Sequence, residues 1–258
     1  MTKIYLMKDD PEKQEVSKKP ETRKLGRTIL VRGLEQGVKL WLRSQVDGIE
    51  GLKVRIEGQD SNLLQGYILR IHLFAQQAIY QGLHLTQVEL EASNIRINIG
   101  QVLKGQPLGI IEPVPILGQV QLSQANLQAS CTSPLLNNAL KDLLTLILAQ
   151  NNRRKYPQIL ANQEISWQNI EIKANYLKFD GYSTSSRGKR IPIVITTGFK
   201  LLSPYQLCLD PLHIEFPPEI LSFMPQSLEL DLGKEAQIQE ISLLPGLLFC
   251  QGGLVIKP

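Results

Sequence analysis

Scarcity narrows this sequence before any motif does. Aromatic residues make up 6% of its 258 positions. The apolar content is therefore mostly Leu, Ile and Val, which suits an aliphatic interior better than a surface for stacking nucleic-acid bases. Cysteine is rare: Cys131, Cys208 and Cys250 stand far apart with no C-x-x-C spacing, so neither a disulfide framework nor a zinc site is indicated. An odd, scattered count of this kind fits a reducing compartment. Charge is not in large excess, since Lys and Arg number 28 against 24 acids for a net +4. That balance makes no demand for nucleic acid, though it would tolerate an anionic membrane surface. Long hydrophobic runs are missing too. The most apolar stretch, Leu143 to Ala149, falls far short of the ~20 residues a membrane-spanning helix needs. The opening MTKIYLMKDDPEKQEVSKKPETRK has no apolar core of signal-peptide length.

What is present is 43% hydrophobic residues with 20% charged, ordinary for a globular protein and ample for a core. Residues 1–25 are polar, contain Pro11 and Pro20, and carry with Arg27 eight Lys or Arg against five acids. They read as a disordered tail, leaving 26–258 as a single domain. From Gly26 to Asp47 the apolar residues Leu30, Leu34, Val38, Trp41, Leu42 and Val46 form one helical stripe. Then the period changes to two. Tyr67 to Tyr80 alternates as a half-buried strand, and at 3.3 Å per residue it would span about 45 Å, against a usual strand length of about 17–20 Å.

Leu83 to Ile99 makes a second long strand whose apolar phase slips twice: Leu83 and Leu85 are odd, Val88, Leu90 and Ala92 even, Ile95 and Ile97 odd again. Such slips predict a β-bulge or a strongly coiled strand. Pro113 and Pro115 mark an edge or loop, Ser123 caps a short helix, and Ser133-Pro134 opens a Leu-rich helix to about Gln150 that is apolar around most of its circumference. The remainder alternates as antiparallel strands at Ile170–Tyr176, Ile191–Leu201, Tyr205–Phe216, Leu228–Leu232 and two closing segments. The expected class is α+β, with one long, highly curved antiparallel sheet wrapping one or two long helices.

Catalytic patterns are thin. His72, His84 and His213 have no carboxylate or second histidine at ligand spacing. The run GYSTS at Gly181 to Ser185 lacks the second glycine of a nucleophile elbow, and SSRGKR has no phosphate-loop glycines; together they read as a basic hairpin loop. A bent aliphatic sheet is either filled solidly or left as a tube for an elongated apolar ligand, which gains ~0.8 kcal/mol per methylene removed from water. Periodicity leaves both readings open.

The order of segments resembles the LmeA-like phospholipid-binding family. The resemblance rests on VDGIEGLKVRIEGQDSNLLQGYILRIHLFAQQAIYQGLHLTQVELEASNIRIN, on QLSQANLQASCTSPLLNNAL and on PGLLFCQGGLVI, and covers about residues 27 to 256. It implies a fold like that of tubular lipid-binding (TULIP) proteins, with phospholipid or another long-chain amphiphile in an apolar groove, and neither cofactor nor catalytic residues. Members acting outside the cytoplasm carry an export signal or anchor, which this sequence does not show, so a cytoplasmic site at an inner membrane face is expected. The expected partners are the lipid and, transiently, a membrane surface, with no nucleic acid. The expected lining is the helix stripe Leu34, Val38 and Leu42, the strand face Leu69, Ile71 and Leu73, and the second helix at Leu140, Leu144 and Ile147. The headgroup would meet Arg187, Lys189 and Arg190. Two alternatives stay open: a filled-core module that binds another protein, and a lipid hydrolase.

Overall fold

The computed structural model describes residues 29–102, 104–150, 164–184, 188–215 and 226–258. The expected tail and Arg187 lie outside the described residues. In chain order the elements are α1 (Ile29–Gln45), β1 (Gly48–Glu57), α2 (Asp60–Leu64), β2 (Tyr67–Tyr80), β3 (Leu83–Arg96), α3 (Ile99–Val102), β4 (Val114–Ser123), α4 (Gln124–Ala129) and α5 (Pro134–Gln150). Then come β5 (Glu164–Lys173), β6 (Tyr176–Thr184), β7 (Arg190–Ser203), β8 (Gln206–Glu215), β9 (Leu228–Asp231), β10 (Ala236–Leu244) and β11 (Leu247–Ile256). All pairings are antiparallel. One sheet runs β1-β2-β3-β4-β11-β10 and the other β5-β6-β7-β8-β9.

The expected class therefore needs correction in its architecture: there are two open sheets, and neither closes around a helix. The reason is length. A helix of 17 residues reaches about 25 Å, roughly half of a 14-residue strand. No single helix can cover β2 and β3 from end to end, so the long sheet has two covers and two cores. Under α1 lie Val31, Leu34 and Val38 with Val54, Ile56, Ile68, Ile71 and Ile95. At the other end Leu83, Leu85 and Leu122 pack with α4, α5 and the inner face of the second sheet, including Trp167, Ile170, Ile193, Ile195 and Ile214. The Leu-rich α5 is one-sided after all: Leu140, Leu144 and Ile147 at helical spacing are buried, whereas Leu146 is 50% exposed.

The phase slips are real but are not bulges in this hairpin. The β2–β3 ladder keeps one register from Tyr67↔Arg96 to Tyr80↔Leu83. Gln77 in β2 (φ 53°) and Asn94 in β3 (φ 57°) adopt left-handed backbone, a conformation Asn tolerates better than most residues. Near each of them both strands change facing in step. The buried set thus runs Ile68, Ile71, Ala75, Ala78 on β2, leaving Leu69 50% exposed. Register shifts occur instead in β1, around Gly51 (φ 60°). The expected strand at Ile170–Tyr176 breaks at a turn where Asn175 (φ 69°) reverses the chain. Beyond it, β6 went unanticipated and takes in Gly181 to Thr184, so that stretch is strand rather than loop.

Two local devices position the covers. Gln81 (φ 48°) and Gly82 (φ 74°) form the two-residue turn of the long hairpin. The Gly82 N–H donates to Asp47 Oδ2 at 2.8 Å and the Ser133 hydroxyl donates to the Gln81 carbonyl at 2.9 Å. A side chain on Gly82 would sit 3.1 Å from Ser133 Cα, so the close approach of the α5 start requires glycine there. Ser133 Oγ also accepts from Leu136 N at 3.2 Å, capping α5.

The second device joins the sheets. Gln124 and Gln128, one turn apart on α4, present their amides to the edge of β5. Gln124 Nε2 donates to the Ile170 carbonyl and its Oε1 accepts from Ile172 N at 2.7 Å. Gln128 Nε2 donates to the Gln168 carbonyl at 2.9 Å, and its Oε1 accepts from Ile170 N at 2.8 Å. Two side chains thereby satisfy the groups an additional strand would have satisfied. Ile170 is fully buried, so Gln128→Leu, which leaves its N–H unpaired, is expected to cost about 1–3 kcal/mol. The Tm of the variant should fall by several degrees in a circular-dichroism melt; an unchanged Tm would show that the ladder contributes nothing.

Candidate functional site

The helix stripe seen in the sequence places α1 across the β1 side of the long sheet. One polar residue on that face, Glu35, is 5% exposed, and its Oε1 accepts from the backbone N–H of Ile56 at 3.1 Å. A carboxylate this deep costs free energy unless it is hydrogen-bonded. Here it serves a strand N–H and ties the helix to β1.

Between α1 and the sheet runs an apolar slot. Val38, Trp41 and Leu42 form its roof. Its floor and walls are Ile68, Ile71 and Leu73 of β2, Leu90, Ala92 and Ile95 of β3, then Ile97, Leu108 to Ile110, Val114, Ile116 and Ile256. None of these sixteen residues is charged, and the Trp41 indole N–H is the one polar side-chain group among them. The slot is a cavity of about 100 Å³ within about 690 Å³ free of protein atoms, its open side included. It is narrow. Its floor is lowest at Ala92, which lies in a cross-strand row between Ile71 and Ile116, with Ile56 beyond. A branched residue there would match its neighbours and fill the space.

The expected lining residues divide. Val38, Leu42, Ile71 and Leu73 line the slot; Leu34 is buried in the same core without facing the opening. Leu69 points outward because of the phase change near Asn94, and Ile68 takes the inward place. Leu140, Leu144 and Ile147 belong to the other core, the one that includes Trp167 and Phe179. Lys189 and Arg190 lie exposed at the start of β7 in the second sheet, and Arg190 stacks over the Tyr182 ring at 4.6 Å. No described residue of that hairpin lines the slot. Trp41, Leu90, Ala92 and Ile95 bore the signal in their helical or alternating spacing. The contributions of Leu108, Ile110 and Ile256 come from a loop and a terminal strand far away in sequence, which periodicity does not link to α1.

A broader cleft has a different character. It spans about 1530 Å³, open solvent included, and is lined in part by Lys53, Arg55, His72, Phe74, Glu89, Glu91, Gln119 and Gln251. These positions alternate along their strands with the core-facing ones and are matched across the ladder, as in Lys53↔Phe74, Phe74↔Glu89, Glu89↔Gln119 and Gln119↔Gln251. Their polar groups serve one another. Arg70 and His72 Nδ1 approach Glu91 at 3.2 and 3.4 Å, Gln119 Nε2 donates to Glu89 at 2.6 Å, and Lys53 sits over the Phe74 ring at 5.3 Å. The cleft is a solvated, internally paired floor.

No group of three His, Cys, Asp or Glu among the described residues is placed to hold a metal. His72 faces Glu57 and Glu91, and His213 faces Glu215. His84 contributes its backbone N–H to Ser130 Oγ. Burial pushes the Cys131 and Cys250 thiols above their ordinary pKa, away from the thiolate that a nucleophile requires. No helix of the described residues is long and apolar enough to cross a membrane.

Replacing Glu35 by Leu keeps the bulk of the helix face but strands the Ile56 N–H. We expect a loss of about 1–3 kcal/mol in urea unfolding and faster hydrogen exchange at the Ile56 amide; exchange at the wild-type rate would remove Glu35 from its tethering role.

The comparisons with known proteins fit this geometry. The model of the LmeA-like phospholipid-binding family matches residues 25–253, nearly the whole chain, and the protein belongs to that family. Neither a curated protein nor a solved structure matches it.

Proposed function

We propose that this member of the LmeA-like phospholipid-binding family binds a phospholipid or a similar long-chain amphiphile non-enzymatically, seating one hydrocarbon chain in the slot under α1. The observation that carries the reading is the composition of that slot: sixteen described lining residues, none of them charged, in a chain where charged residues are one in five. A chain laid over Ala92 gains ~0.8 kcal/mol for each methylene taken out of water. The protein would collect its ligand at a membrane face. Three free cysteines fit the reducing interior of a cell, and we place that face on the cytoplasmic side.

Trp41 makes the reading testable, because it lines the slot while Trp167 is buried in the other core. A fatty acid brominated along its chain should quench the fluorescence of one tryptophan only, and Trp41→Phe should abolish the quenching. Ala92→Ile should lower uptake at least tenfold, read by native mass spectrometry after incubation with phospholipid, while the Tm stays level or rises as the space fills. Undiminished uptake by Ala92→Ile would put the chain elsewhere. A wild-type protein that takes up no lipid at all would favour the filled-core alternative, a module that binds other proteins.

A further inference from the structure

The slot is roofed over β1 to β3 by α1, but its floor continues onto β4 and β11. There Ile116 pairs with Leu254, and Val114 with Ile256. Leu254 is 47% exposed and Ile256 37%. The loop leading to β4 adds Ile111, 55% exposed and next to the slot-lining Ile110; its N–H is held by the Arg96 carbonyl at 3.0 Å. Leu254 and Ile256 thus extend the slot floor as exposed side chains, and Ile111 adjoins the slot lining in sequence; exposed aliphatic side chains at an apolar opening mark a place where something apolar docks.

We propose that Ile111, Leu254 and Ile256 form the surface by which the protein inserts into a lipid leaflet. This rests on the slot being the lipid site. The strip is continuous with the slot, so a hydrocarbon chain passing from leaflet to slot over Ile256 and Ile116 never meets water, whereas a protein bound there would plug the opening. The chemistry of the strip also favours lipid over protein. It is aliphatic, without the Trp, Tyr and Arg anchors that dominate protein–protein contacts. Its charges do not draw it to one kind of headgroup: Glu112 adjoins Ile111, and Lys257, beside Ile256, is already paired with Glu235. Insertion is therefore apolar in origin. It occurs on neutral phosphatidylcholine and weakens little as salt is raised, despite the basic pI of 8.9.

The test uses the full chain and two readouts. In vesicle flotation on phosphatidylcholine, the wild type is expected to co-float, and the double variant Ile111→Gln, Leu254→Gln to partition about tenfold or more weakly, as two aliphatic side chains no longer leave water. Neither residue lines the slot, so quenching by the brominated fatty acid added from solution should be the same in both proteins, which also shows that the variant is folded. Equal flotation of variant and wild type would overturn the proposal. So would a wild type that quenches normally yet does not float, leaving the slot reading intact. Absence of quenching in the wild type would strike the slot reading itself. A wild-type dimer that the double variant converts to monomer would assign the strip to a second copy of the chain and overturn the leaflet. Flotation only on vesicles containing phosphatidylglycerol would overturn the apolar origin of the docking.

Discussion

The structure depends on a mismatch of lengths. Two 14-residue strands, paired without a register shift over their whole course, present an inner face about twice as long as either 17-residue helix can cover. Covering that face takes two separate sets of elements, and the space left under α1 is the slot. A shorter hairpin would need only one core and would leave no unroofed floor on β4 and β11.

Each cover is fixed by a few polar contacts rather than by apolar packing alone, which has no direction of its own. Glu35 registers α1 on β1 through a single strand N–H. Gln124 and Gln128 register the second sheet on the first through four backbone groups of β5. Val31, Leu34 and Val38 are buried on the inner face of α1.

Much of this was legible in the sequence, and the failures have physical causes. The helix stripe on α1, the long hairpin, the Ser123 and Ser133 caps and family membership all followed from spacing or resemblance. The error at Leu69 arose because alternation assumes every residue is extended, and a left-handed residue such as Asn94 or Gln77 reverses facing without any Gly or Pro to announce it. The strand β6 was lost because Asn175, the residue type that best accepts a left-handed turn, stood inside an apparently continuous alternation. The Leu content of α5 reports burial at Leu140, Leu144 and Ile147 but not which of the two cores receives them. The strip at Ile111 and Leu254 joins residues more than a hundred positions apart, so only folding brings it to the slot.

The hairpin tip at Gln81 and Gly82 carries a consequence for engineering. Tips of exposed hairpins are ordinarily where a chain accepts added sequence most readily. This one is clasped by Asp47 on one side and Ser133 on the other, with the α5 start packed against the glycine. Lengthening it would detach both partners at once, so epitope tags and reporter insertions belong away from this tip.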